Sequence, residues 1–207
     1  MPPHTVDFKR ALVTGGGGGL GKAMSKVIKK ITSKHPDLDC VINNAGVQRP
    51  LDFNKMSAVS NADQEIQINI QGPTHLAKDG AVIMNVSSVL GYIPFSVINP
   101  VYNGTKAWVH FNTMNIRTQL AKAGANIKVV KIAPPTVSTD LHREREDPDV
   151  NTKDKNYSAL SVEEFRDELV KGWKEDKEII GAGSSQKLVD RWYGEFGPDY
   201  EKAADGK

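Results

Sequence analysis

Residues 11–24 read ALVTGGGGGLGKAM, an apolar run that opens at Thr14 into five consecutive glycines, then Leu20 and Gly21, and enters a helical pattern. Few arrangements restrict a fold as tightly. A strand that turns through glycines into a helix lets its backbone approach a ligand closely. The N–H groups at the helix N-terminus then converge on an anion, as in a pyrophosphate site. β-type runs recur at residues 39–43, 80–87, 127–133 and 178–182, beside the first at 10–14, and helical patterns fill most gaps between them. Strand and helix in alternation predict an α/β chain around a parallel sheet.

The chemistry-bearing residues lie further on. Tyr102 and Lys106 are four apart in a helical pattern over 101–123, and Ser88 stands fourteen residues before the tyrosine, at the end of the apolar run AVIMNVSS. Residues four apart on a helix share a face. A free phenol titrates near pH ~10, and a neighbouring cation favours the phenolate, so Lys106 is expected to bring Tyr102 toward the range useful for proton transfer. The serine hydroxyl can donate and accept, and would hold a substrate oxygen before the phenol. In isolation such a Tyr/Lys spacing reads as an exposed helical pair. Here it follows the glycine turn and a third element, Asn43-Asn44-Ala45-Gly46, which closes the apolar run from Cys40 to Ile42.

Glycine turn, Asn-Asn-Ala-Gly and Ser…Tyr-x-x-x-Lys, in this order, resemble the short-chain dehydrogenase/reductase family over about residues 8–142. The resemblance implies a Rossmann-type doubly wound parallel sheet and an oxidoreductase that moves hydride between NAD or NADP and a small-molecule carbonyl or alcohol. By it, Tyr102 is the general acid/base, Lys106 lowers its pKa and holds the nicotinamide ribose, and Ser88 positions the substrate oxygen. Asn69 in EIQINIQGP matches an asparagine that supports a proton relay; the alternative is a helix-interior asparagine bonding its own backbone. Thr14, Gly15, Gly19, Leu20 and Gly21 match the pyrophosphate turn, and Asn44 and Gly46 the adenosine side. Ala133-Pro134-Pro135-Thr136-Val137-Ser138-Thr139 matches a Pro-Gly-x-x-x-Thr element in which Val137 and Thr139 face the nicotinamide carboxamide; Pro135 replaces its glycine. The stretches NNAGVQR, VSSVLGYIP and KIAPPTVSTDLH look most like a small subgroup of bacterial-type oxidoreductases. A second reading is a degenerate member of the fold that serves as a binding or assembly partner.

The chain is also short for that family. Between Gly21 and Asn43 stand 21 residues, room for one helix and one strand, so the second and third strands of the sheet are absent. The acidic residue expected on the adenosine ribose would sit about 20 residues after the fingerprint. Asp37 and Asp39 fall there, yet HPDLDCVINNAG places them in the loop entering the next strand. In the parent order 3-2-1-4-5-6, strands one and four are neighbours, so the remaining sheet stays contiguous. The resemblance puts the helices of strands four to six on one face. A direct link from strand one to strand four then either moves the phosphate-binding helix to that face or crosses left-handedly. A second shortening follows Ala77, where Lys78-Asp79-Gly80 turns into the next strand. The family associates through its long helices, so the short one at 63–78 weakens the expectation of a homo-oligomer.

Length and charge agree with a single domain over 1–207, with a substrate-side loop and helix region at about 140–177. The 27 basic and 25 acidic residues nearly cancel, which removes the electrostatic footprint of a nucleic-acid binder. Cys40, the single cysteine, reads as a core thiol. The histidines at 4, 35, 75, 110 and 142 have no metal-ligand spacing, so no metal is expected. MPPHTVDFKR lacks an apolar signal core and no apolar run nears ~18 residues, so no membrane span and a reducing, cytoplasmic location are expected. Ser161-Val162-Glu163-Glu164 reads as a capping box that starts a helix with Phe165, Leu169, Val170 and Trp173 on its core side. Residues 143–157 are charged and aperiodic: a loop that lies over the substrate or a solvated surface.

Overall fold

The computed structural model describes residues 4–6, 8, 10–16, 39–51, 58–71 and 82–206. Strands β1 (Ala11–Val13), β2 (Cys40–Asn43), β3 (Val82–Val86), β4 (Lys128–Ala133) and β5 (Ile179–Gly181) form one sheet in the order β1-β2-β3-β4-β5. Every pairing is parallel, with Cys40 opposite Val82 and Lys131 opposite Ile179 among the registers. All five strands occur where the apolar runs place them. Every residue of β2, β3 and β4 is buried, as expected of parallel strands covered on both faces. The contiguous β1–β2 pairing also matches the shortened sheet.

Helix α1 (Ala58–Ile66) runs directly into a π-helical turn at Gln67–Gln71. Helix α2 (Pro100–Lys122) is the longest among the described residues, and Pro100 suits its first turn because the missing N–H has no partner to lose there. Helix α3 (Val162–Lys174) begins with the expected capping box: Glu164 N–H donates to Ser161 Oγ at 3.1 Å and Ser161 N–H to Glu164 Oε2 at 2.7 Å. Helix α4 (Ser184–Ala204) closes the fold.

The sheet alternates its side chains between two unlike layers. Cys40, Ile42, Val82, Met84, Val86, Val130, Ile132 and Ile180 form one apolar core with Phe165, Leu169 and Trp173 of α3. On the opposite face, Asn85 donates to Thr113 of α2 at 3.1 Å and Lys131 donates to Tyr193 of α4 at 2.6 Å. The α2 and α3 crossovers therefore step in the same lateral direction on opposite faces, and are of opposite hand. One of them departs from the right-handed rule. This corrects the expectation that the helices of these strands share a face.

Residues 17–38 and 72–81 are outside the described residues, and with them the phosphate-binding helix, Asp37 and the shortening at Lys78-Asp79-Gly80. Asp39 precedes β2, where its Oδ1 accepts from Arg10 N–H at 3.0 Å. It stands at the N-terminal end of the strand, away from the glycine turn and Asn44. Cys40 is fully buried, and burial pushes its thiol up, as an inert core thiol requires.

Candidate active site

The C-terminal ends of β1 to β4 open on a cavity of about 750 Å³. This is where open parallel sheets bind ligands, because their loops diverge there. Gly15, Asn44, Gly46, Ser88, Tyr102, Lys106, Val137 and Thr139 all line it. Gly19, Leu20 and Gly21 lie outside the described residues.

The loops after β1 and β2 are stitched together. Thr14 Oγ1 accepts from the N–H groups of Asn44 and Ala45, both at 3.0 Å, and Asn44 Nδ2 returns a bond to the Thr14 carbonyl at 3.2 Å. Gly15 then turns away at φ 66°, and a Cβ there would come 2.9 Å from Ala45 Cα. Both the left-handed conformation and the close approach require glycine. The Thr14 and Asn44 side chains are thus engaged in holding the turn.

Asn69 sits in the π-helical turn after α1, a distortion common at functional sites. Its Oδ1 accepts from Val47 N–H at 3.0 Å, while Nδ2 donates to the Val47 carbonyl at 3.0 Å and to Thr105 Oγ1 at 3.1 Å. This is neither a bond to its own backbone nor a free side chain. Asn69 clamps the loop after β2 onto α2. A methyl on Gly46 would lie 3.3 Å from Asn69 Oδ1 and 3.5 Å from Lys106 Nζ, so the three groups meet at one point.

Tyr102 and Lys106 share the inner face of α2, at 5% and 4% exposure, which replaces the exposed-pair alternative. Lys106 Nζ lies 5.5 Å from the Tyr102 ring centroid and donates to the Val86 carbonyl at 2.8 Å. Ser88 caps a short turn at Val89–Gly91 by accepting from Leu90 N–H at 3.2 Å, and its hydroxyl lies beside the Tyr102 phenol, near enough to favour the phenolate. The electrostatics differ from expectation. Burial, followed by the charge of Glu65, pushes the Tyr102 phenol up, and only the nearby Ser88 hydroxyl pulls it down. Burial also brings Lys106 down to about 8 against the pull of Glu65, so it still carries its proton at neutral pH.

After β4, Val137 and Thr139 divide their tasks. Val137 belongs to the core beside Phe165, and Thr139 Oγ1 accepts from Leu141 N–H at 3.4 Å, starting a turn at Asp140–His142. The next residues cross the cavity. Gln48 Oε1 lies 2.7 Å from His142 Nδ1 and accepts from Arg145 Nη2 at 3.1 Å, while Arg49 pairs with Glu144 at 2.7 Å. Residues 140–145 therefore line the cavity, whereas Asp147 and Lys155 pair in solvent at 3.0 Å.

Two fully buried charged side chains were not singled out from the sequence. Glu65 is fully buried, and its position four residues before Asn69, on the same helix face, was the available signal. Lys131, also fully buried, contacts His110 and Tyr193, and burial brings it down to about 6. Among the described residues no group of three His, Cys, Asp or Glu side chains is arranged to hold a metal, and no helix is long and apolar enough to cross a membrane.

Comparison with known proteins accords with this geometry. The short chain dehydrogenase family model matches residues 22–149. An uncharacterized oxidoreductase, DltE of Bacillus subtilis, is 34% identical over 157 residues, which cover 71% of this chain and 60% of that protein. A short-chain dehydrogenase from Sphingobium yanoikuyae, solved in complex with NADPH, superposes with a TM-score of 0.72 at 17% identity over 94% of each chain. Another from Burkholderia phymatum, in complex with NAD, gives 0.71 at 15% identity over 93% of this chain and 95% of that one. The match thus spans 60% of the length of the Bacillus relative, and 52% of a similar Staphylococcus epidermidis oxidoreductase.

Proposed function

The chain belongs to the short-chain dehydrogenase family, and we propose that it is an NAD(P)-dependent oxidoreductase acting on a small carbonyl or alcohol, with Tyr102 as general acid/base. The observation that carries this reading is the wall formed by Ser88, Tyr102 and Lys106 along the cavity, with the Ser88 hydroxyl beside the buried Tyr102 phenol. A substrate oxygen placed between the two hydroxyls would exchange its proton with Tyr102 while Ser88 fixes its position.

The Gly15 turn fits a dinucleotide, because it lines the cavity beside Asn44 and Gly46 at the C-terminal end of the sheet. In this reading Thr14, Gly15, Gly19, Leu20 and Gly21 hold the phosphate region, Asn44 and Gly46 the neighbouring face, and Lys106, Val137 and Thr139 the nicotinamide end. When bound, the nicotinamide supplies or accepts the hydride. Lys106 holds the ribose and stabilises the phenolate once Tyr102 gives up its proton. Asn69 keeps the Val47 loop and α2 in register, and supports a proton relay through water. Residues 140–145, pinned by Gln48 and Arg49, cover the substrate and exclude water. A cytoplasmic protein that self-associates weakly completes the reading.

One observation favours the alternative of a degenerate binding partner. β1 has β2 on one side and no second neighbour among the described residues, so the strand that would carry the ribose carboxylate is absent there. Titration with NADH and NADPH, followed by energy transfer from tryptophan to the reduced nicotinamide, separates the two. Saturable transfer is expected of the oxidoreductase. Its absence in a chain that is folded by circular dichroism would favour the alternative.

A further inference from the structure

Glu65 has no part in the chemistry above, yet it lies behind the residues that do. It is on α1, one turn before Asn69, fully buried, and neither carboxyl oxygen has a hydrogen-bond partner among the described residues. A buried carboxylate without partners is costly, and the group responds by holding its proton. Among the described residues, four charged or titratable groups face it from three elements. They are Arg49 from the loop after β2, Glu144 from the segment that crosses the cavity, and Lys106 and Tyr102 from α2. The Arg49 backbone N–H favours the carboxylate without reaching hydrogen-bond geometry.

We propose that Glu65 is a positioning residue that sets charge: a carboxyl sealed behind the Tyr102–Lys106 pair, whose gain or loss of a proton decides which protonated form the pair holds. The proposal rests on the assignment of Tyr102 and Lys106 to proton transfer. Burial raises Glu65 to about 7, so it changes charge near neutrality. Once ionised, it favours the Lys106 ammonium and disfavours the Tyr102 phenolate. The protonated acid relaxes both effects. A carboxyl serving only to fill space under Asn69 would leave both groups unmoved.

The test compares the whole chain with Glu65→Gln, which keeps the shape and removes the ionisation. Nuclear magnetic resonance of isotope-labelled lysine, with Lys106 assigned by Lys106→Ala, should show the ammonium losing its proton at a pH lower by at least about half a unit in the variant. An unchanged midpoint overturns the proposal. Infrared difference spectra of the wild type should contain a protonated carboxyl that disappears near neutral pH and is missing from the variant. A carboxyl already ionised at pH ~5 overturns it as well, and this reading stands even where the variant does not fold. In turnover, the alkaline limb of kcat/KM for alcohol oxidation should move to lower pH, whereas a uniform loss at every pH marks a structural role and overturns the proposal. Lack of turnover in both proteins would refute the oxidoreductase assignment, while the resonance and infrared titrations still decide the role of Glu65.

Discussion

Lys106 Nζ donates a 2.8 Å hydrogen bond to the carbonyl oxygen of Val86, the last residue of β3 and two residues before Ser88. One strand end thereby positions both the serine and the lysine. Ser87 reinforces the junction, its hydroxyl donating to the Lys106 carbonyl at 2.8 Å. The three residues of the cavity wall thus meet at one β3–α2 junction.

Lys106→Ala removes the ribose-holding group and leaves the Val86 carbonyl without this donor. Turnover and dinucleotide affinity are both expected to fall, the affinity by roughly 10-fold or more for a lost charged hydrogen bond. Titration calorimetry reads the affinity directly. An unchanged value would remove the ribose-holding role.

Tyr102→Phe keeps the buried ring and deletes the ionisable hydroxyl. Turnover should fall by a factor on the order of 10² to 10⁴, with dinucleotide affinity within about twofold of the wild type. Steady-state kinetics at saturating cofactor decide this, and retained turnover would exclude the tyrosine as acid/base.

Asn69→Ala deletes the clamp on Val47 and the bond to Thr105. The cost should be on the order of 1–3 kcal/mol in urea unfolding, since buried backbone groups lose their partners. Asn69→Asp keeps the acceptor but loses the donor, and is expected to fall between the two. Wild-type stability in both variants would show that the Val47 loop is held by other contacts.

Strand positions, the capped start of α3 and the Tyr102/Lys106 face were legible because each rests on local pattern: apolar runs, a Ser-x-x-Glu spacing, and residues four apart. Glu65 was not. In Asp63-Gln64-Glu65 it has the appearance of a solvated helix face, and its spacing from Asn69 suggests a shared face without showing that the face is buried. Gln48 was equally silent, because its partners His142 and Arg145 are about a hundred residues away in sequence. The opposite hands of the two crossovers also depend on which sheet face α3 covers, which its own amphipathic pattern does not encode.

Lys131 gives the fold a pH dependence of definite sign. Burial and the nearby Arg117 lower it from 10.5 to about 6, so the unfolded chain binds the proton more tightly. The stability contribution is therefore present above pH ~10.5 and is lost as pH falls toward ~6. Wild-type unfolding midpoints should decline from pH ~9 to ~6 more steeply than those of Lys131→Met, which cannot titrate. Parallel profiles would show that the lysine keeps its proton in the folded state.

The most direct measurement of the central claim is isotope transfer. The chain is incubated with NADH or NADPH deuterated at the transferring C4 position and a panel of aldehydes and ketones, and the alcohols are analysed by mass spectrometry. Deuterium on the carbinol carbon is expected with at least one of the two cofactors, and at a rate at least about 100-fold lower in Tyr102→Phe. Unlabelled products from a folded chain, or equal labelling by the tyrosine variant, would contradict the account.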